Sequence, residues 1–313
     1  MKRNHAIRIV SVLLAILANE CQANFDGCDN FTGNSIDPTR WVMTVISGVG
    51  LLTETNQRLE YATSGTPTAR DSAALTWIPN SGSYTQNWEL KVDMNIGALS
   101  FTNSSQSVAL QLQVFPGSDM SNHLFAVDFQ HNTNGGLFEC KVRDNHATTL
   151  SVTKNTTSTN VAMRITFDAS TQLLSAFYDE DGPQCGYSWV FLASTNVPSS
   201  WGMSTASVFN TLLSGSSQGL LVTSSNNVFL DNFGAASGSF PPLQIQDTGG
   251  SVVIRWPASS TGFQLESTAT LSSPVCWDVV TNVPAVVGTN FTVTNTVSSQ
   301  TKFFRVSRIY TCQ

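Results

Sequence analysis

The stretch Trp88-Glu89-Leu90-Lys91-Val92-Asp93-Met94-Asn95-Ile96 alternates without a break. On an extended chain Trp88, Leu90, Val92, Met94 and Ile96 fall on one side, and Glu89, Lys91, Asp93 and Asn95 on the other. A period of two marks a strand with one dry and one wet face. The pattern recurs in Val108, Leu110, Leu112 and Val114, set against Ala109, Gln111 and Gln113. It returns in His123, Phe125, Val127, Phe129 and His131, and again in Val161, Met163, Ile165 and Phe167. No long helical period competes with it. Clusters rich in Gly, Pro, Asn and Asp at 116–119, 132–136 and 179–183 punctuate the runs as turns. Strands with one dry face must bury it against a second sheet. The chain is therefore predicted to be all-β, with a large antiparallel jelly-roll β-sandwich of about a dozen strands over residues 24–236.

On the N-terminal side, Lys2, Arg3 and Arg8 precede an apolar run from Ile9 to Ala18, and Ala23 follows. This is the layout of a secretory signal peptide over residues 1–23. The run is about half of what a membrane-spanning helix needs. Glu20 stands where a lipidated Cys21 would want a small residue, which argues against a lipid anchor. On the C-terminal side, residues 237–242 read as a linker. Residues 243–313 read as a small β-sandwich module, with strands expected over 251–256, 262–267, 276–280, 291–296 and 302–308.

The chain carries 15 Lys and Arg against 21 Asp and Glu, a net charge of −6, and loses three cations for one carboxylate with the leader. Nucleic acid and anionic membranes require a basic face, so the balance argues against both. Of the six cysteines, Cys28, Cys140, Cys185, Cys276 and Cys312 lie beyond Ala23. None form a Cys-x-x-Cys pair, so zinc and thioredoxin-type sites are unsupported. In an oxidising compartment disulfides are expected. Cys276 with Cys312 would close the small module and Cys140 with Cys185 would tie the large one, leaving Cys28 over.

The opening Asn24-Phe25-Asp26-Gly27-Cys28-Asp29-Asn30-Phe31, followed by Ile36-Asp37-Pro38-Thr39-Arg40-Trp41, resembles the start of concanavalin-A-like (laminin-G-type) sandwich domains of exported bacterial proteins. Met163-Arg164-Ile165-Thr166-Phe167-Asp168 with 173–178 resembles their middle strands, and Val228-Phe229-Leu230-Asp231-Asn232-Phe233 their closing strand. The tail is similar to fibronectin-type-III-like modules, through Val253-Ile254-Arg255-Trp256-Pro257 and Phe303-Phe304-Arg305-Val306. The resemblance implies the sandwich fold, and a fold shared by lectins, adhesion modules, glycoside hydrolases and polysaccharide lyases does not decide function. It also implies a structural calcium where first and last strands meet, with Asp26, Asp29 and Asp231 as oxygen ligands; the alternative is that Asp26 and Asp29 form turns and Asp231 caps a strand end.

Glycosidase chemistry needs two carboxyl groups a short distance apart. Laminarinase-like enzymes on this fold carry Glu-x-Asp-x-x-Glu on one strand; the nearest feature here is Glu89 with Asp93, about 13 Å apart along a strand with Lys91 between. A solvated strand face is the expectation there, and a solvated acidic turn at Asp179-Glu180-Asp181. His123 and His131 sit about 26 Å apart on one strand and cannot share a metal. No Gly-x-Ser-x-Gly elbow, His-Glu-x-x-His or phosphate loop is present. A lyase base would be a Tyr or His beside a cation, and Tyr178, Tyr187 or His146 could serve. Asn30, Asn103, Asn155 and Asn290 open Asn-x-Ser/Thr sequons. For sugar binding, Trp88 and Trp256 are predicted buried, while Trp201, in a small-residue loop, is the leading candidate platform, followed by Trp77 and Tyr187; the alternative for a lone loop tryptophan is a plug of the core. The expectation is a secreted, non-catalytic binding or adhesion protein with a glycan as ligand. The alternatives are a carbohydrate-active enzyme whose residues come from separate strands, and a structural surface protein.

Overall fold

The computed structural model describes residues 25–310 apart from 68, 79–81, 118–121, 273–274 and 297–300. The leader expected over 1–23 lies outside the described residues, as does Cys312.

Two eight-stranded antiparallel sheets form the sandwich. The first runs Val190–Asn196, Leu173–Asp179, Asn160–Asp168, Trp88–Ile96, Val228–Ser237, Arg58–Thr63, Gly50–Thr55, with Gly27–Asp29 paired to Val228–Ser237. The second runs Ala147–Thr156, Gly135–Asp144, Leu124–Asn132, Ser107–Pro116, Val208–Gln218, Arg70–Trp77, Trp41–Ser47, with Gly82–Ser83 paired to Val208–Gln218. The dry rows meet between the sheets. Leu90, Val92, Met94, Leu110, Val127, Phe129, Met163 and Ile165 are all fully buried. Chain start and chain end are neighbours in the first sheet, where Asp29 stands opposite Phe233. Past Asp231 the register shifts, and Asn232 takes a left-handed φ of 48°. That extra residue turns Phe233 inward, against Trp41 and Trp77 at 4.9 Å from each.

The tail adds a four-stranded sheet, Gln244–Asp247, Ser251–Pro257, Asn290–Thr296, Ala285–Val287, and a three-stranded one, Asp278–Val279, Phe263–Thr268, Phe303–Arg308. Its own core is small: among the described residues, Ile254, Trp256, Leu265 and Val293 are the buried apolar ones. The segment 237–242 is held rather than loose. The Gly238 amide donates to the Asn87 carbonyl at 2.7 Å, Asn87 Nδ2 to Ser239 Oγ at 2.7 Å, and Phe240 packs on Phe263.

Two expectations are corrected. The cysteines pair across the modules: Cys185 bonds Cys276, joining the sandwich to the tail over 91 residues. Cys140 is a free, buried thiol, pushed up to about 12 by loss of solvent in the core; it sits in the dry core between the sheets, and its expected partner Cys185 is taken by Cys276. Cys28 is itself disulfide-bonded rather than left over. Second, the wet face of Trp88–Ile96 is not solvated. Glu89, Lys91 and Asp93 are only 3%, 7% and 3% exposed, because the tail lies across them.

Candidate functional site

The covered face is built row by row. Lys91 stands between Gly234 and Arg164 on its neighbouring strands, and Glu89 between Ala236 and Thr166. The small residues leave room above them for a ring from the tail. A Cβ on Gly234 would come within 2.4 Å of the Tyr310 ring, so a glycine is required for this close approach. Tyr310 Oη donates to Glu89 Oε1 at 2.7 Å, Arg308 Nε pairs with the same oxygen at 2.9 Å, and Arg164 holds Glu89 Oε2. One carboxylate thereby receives two guanidinium groups and a phenol, as a buried charge needs.

Beside it, Lys91 Nζ donates to Tyr187 Oη at 2.6 Å, and Tyr187 Oη donates to Asp93 Oδ2 at 3.2 Å. Asn232 Nδ2 also donates to Asp93 Oδ2, at 2.8 Å. Loss of solvent pushes the Asp93 carboxyl up and the Lys91 ammonium down, each opposed by the other's charge. Asp231, directly opposite Asp93, is pushed up to about 6 by burial. Burial first and the Asp93 charge second push the Tyr187 phenol far up, so it acts as a donor and not as a base.

The turn after Leu173–Asp179 carries the aromatic part of the site. Gly186 takes φ +67°, and a Cβ there would press on the Trp277 carbonyl at 3.3 Å. The Trp277 amide donates to the Cys185 carbonyl at 2.8 Å next to the disulfide. Tyr187 and Trp189 emerge stacked, ring centres 5.1 Å apart and 6° from parallel. Trp277 faces them from the tail with Arg305 4.2 Å over its ring. Arg305 is in turn bonded to the Tyr187 carbonyl and to Glu266 Oε2.

Two adjoining cavities open here, sharing Trp189, Trp277 and Arg305. One, of about 420 Å³, is lined by Lys91, Arg164, Tyr187, Phe240, Gln264 and Glu266 among others. The second, of about 590 Å³, is lined by Tyr178, Asp179, Glu180, Asp181 and Ser188. Asp179 belongs to the turn expected to be solvated, yet it is 1% exposed. Burial, and then its hydrogen bond with Asp181, push its carboxyl up to about 7.

A second polar arrangement lies on the outer face of the other sheet. Asp128 and Glu139 stand directly opposite each other on adjacent strands. Lys141 Nζ reaches Glu139 at 3.1 Å and Asp128 at 3.7 Å. Gln111 Nε2 donates to Asp128 Oδ2 at 2.8 Å, while Asp128 Oδ1 has no partner among the described residues. Burial pushes Asp128 up to about 6. These carboxyls are eleven residues apart in sequence, so no one-strand motif could disclose them; only the pairing of the hairpin does.

The anticipated site residues divide. Tyr187 lies at the seam between sandwich and tail. Trp77 is 3% exposed, wedged against Trp41 and Phe233, and offers no ring face. Trp201 is 6% exposed and packs 5.9 Å from His123, at the edge of a third cavity with Met203 and Val208. It plugs the core because its turn folds back on the sandwich, so it is not a free platform. The calcium ligands do not converge: Asp29 accepts from the Phe31 amide and the Trp41 indole, Asp26 from Ser237, and Asp231 from the Asn232 amide. Among the described residues no group of three His, Cys, Asp or Glu could hold a metal ion, so the donor set does not fit calcium. Trp189, Trp277 and Arg164 were missed as site residues, since nothing in their local pattern tells a ring at a module boundary from one in a core.

No protein-family model matches the chain, and no curated protein matches it. Among solved structures, the chain is similar to lectin II from Ulex europaeus, at 10% identity over 66% of this chain and 96% of that one, with a TM-score of 0.43. It is also similar to the winged bean acidic lectin complexed with methyl-α-D-galactose, at 12% identity over 68% and 100%, TM-score 0.46. An alginate lyase from Pseudomonas aeruginosa aligns at 12% identity over 65% and 100%, TM-score 0.42.

Proposed function

We propose that the chain is an exported, non-catalytic protein that binds saccharide in the seam between its sandwich and its tail. The observation that carries this reading is the stacked Tyr187–Trp189 pair facing Trp277 across open cavities rimmed by carboxyl, amide and guanidinium groups. A pyranose presents an apolar face of C–H groups and a rim of hydroxyls. Half-exposed rings satisfy the first and fixed polar side chains the second. The signal-peptide layout and the disulfides support an extracytoplasmic setting. Among the described residues no helix is long and apolar enough to cross a membrane.

The test is a glycan-binding screen with the purified chain, followed by Trp189→Ala and Trp277→Ala. Each substitution should weaken binding at least tenfold while the melting temperature moves by only a few degrees. Chelator should change neither binding nor melting, because Asp26, Asp29 and Asp231 are engaged separately. Folded protein that binds no glycan would overturn the reading.

A second reading is favoured by one feature, the Asp128–Glu139 pair. A carboxyl that keeps its proton up to about pH 6 beside a second carboxyl is the arrangement of a general acid and its partner. Polysaccharide turnover abolished by Asp128→Asn and untouched by Trp277→Ala would favour this enzymatic reading.

A further inference from the structure

The seam cavities differ in charge, and that difference bears on the ligand. Resting on the saccharide reading above, we propose that the seam selects an anionic saccharide, one bearing a carboxylate or sulfate, whose charged group enters the cavity beside Lys91, Arg164 and Arg305. In an acidic chain, four cations, Lys91, Arg164, Arg305 and Arg308, line this one cavity against two carboxylates, Glu89 and Glu266. Asp93, behind the Tyr187 hydroxyl, and Asp231, opposite Asp93, offset part of that charge from outside the lining.

The cations are not equally spent. Arg308 is used up by Glu89 and by the carbonyls of Ser237 and Gly238. Arg164 gives one terminal nitrogen to Glu89 and lines the cavity with its guanidinium; its Nε has no partner among the described residues but is itself buried. Arg305 commits Nε to Glu266 and one terminal nitrogen to the Tyr187 carbonyl, leaving its other terminal nitrogen 3.6 Å from where a Cβ on Gly186 would stand. Guanidinium groups with donors to spare suit carboxylate or sulfate oxygens. The cations are pinned by neighbours, so little ordering is required when an anion arrives.

The adjoining cavity enforces the choice by repulsion. Asp179, Glu180 and Asp181 line it, so an anionic group is disfavoured there while sugar hydroxyls can donate to the same oxygens. Trp189 and Trp277 border both cavities and would support two consecutive sugar units. The site is thereby polarised, with the charged unit at the Arg164 end and a hydroxyl-rich unit at the Asp179 end.

The experiment is titration calorimetry of the purified chain against three probes of matched length: an oligogalacturonate, a sulfated maltooligosaccharide and the unmodified maltooligosaccharide. At least one anionic probe should bind ten or more times more tightly than the neutral one. That preference should shrink severalfold between 50 mM and 500 mM salt. Arg305→Gln should reduce it further, weakening the anionic probes severalfold more than the neutral one. Should that variant lose its fold, the salt series on the unaltered chain decides alone. A neutral probe bound as tightly as both anionic ones, without salt dependence, overturns the anionic assignment and leaves the saccharide site standing. Folded protein that binds none of the three overturns both.

Discussion

Glu89 shows how one side chain can change meaning between sequence and structure. In the alternating run it is an ordinary outward residue. In the fold it accepts from Arg164, Arg308 and Tyr310. Removing one partner of a buried ion pair leaves the others uncompensated, at a cost of about 3–5 kcal/mol. Glu89→Ala should lower the unfolding free energy by that order in urea titration, far more than the surface change the sequence suggests. Asp179 makes a pH-dependent case. Its folded carboxyl titrates near 7 against an ordinary value of 3.8, so the folded state binds more protons than the unfolded one between those values. Its contribution to stability is then most favourable at low pH and is lost as pH rises from about 4 to 7. Asp128, pushed up to about 6, adds to the same trend over a narrower window. Melting curves at pH 5 and pH 8 should show the loss, and Asp179→Asn should reduce it by about 1–3 kcal/mol. Alternation correctly placed Trp88 and Trp256 inside, because a ring in a dry row has one destination. It could not place Trp77 and Trp201, which lie at strand ends and turns where the period no longer points anywhere.

The strands were legible wherever one face was dry and the other polar. Each of the five tail segments expected from the sequence overlaps an observed strand; Gln244–Asp247 and Ala285–Val287 were not foreseen. Both are exposed along their length, so neither leaves a periodic trace. The covered face of Trp88–Ile96 escaped notice for a different reason. Period two says which residues point away from the sandwich interior, but not whether another sheet covers them. The composition of the neighbouring strand held the missing clue: Gly234 and Ala236 are too small for an ordinary outer row. Gly234→Val would push into the Tyr310 ring and should lift the three-stranded tail sheet from its seat. Overpacking costs about 1–3 kcal/mol, and near-ultraviolet circular dichroism should record the altered tyrosine and tryptophan environment. The same substitution should weaken saccharide binding, since the cavity walls come from both sheets.

Sandwich and tail behave as one body because neither completes the other's polar work alone. Among the described residues four buried apolar side chains form the tail's small core, and its three-stranded sheet with the residues just after it contributes Arg305, Arg308 and Tyr310 to carboxylates and carbonyls of the sandwich. Cys185–Cys276 fastens that contact beside Trp277. Replacing both cysteines by serine should lower the melting temperature by several degrees and split one calorimetric transition into two. The crosslink also alters what a break in the chain would do. A protease outside the cell that cuts at 237–242 severs the peptide bond between sandwich and tail but releases neither, because the sulfur bridge still joins them. The nicked protein would run as one band on a non-reducing gel and as two on a reducing one. Attachment of the tail in a digestive environment thus depends less on an intact main chain than on the redox state of its surroundings.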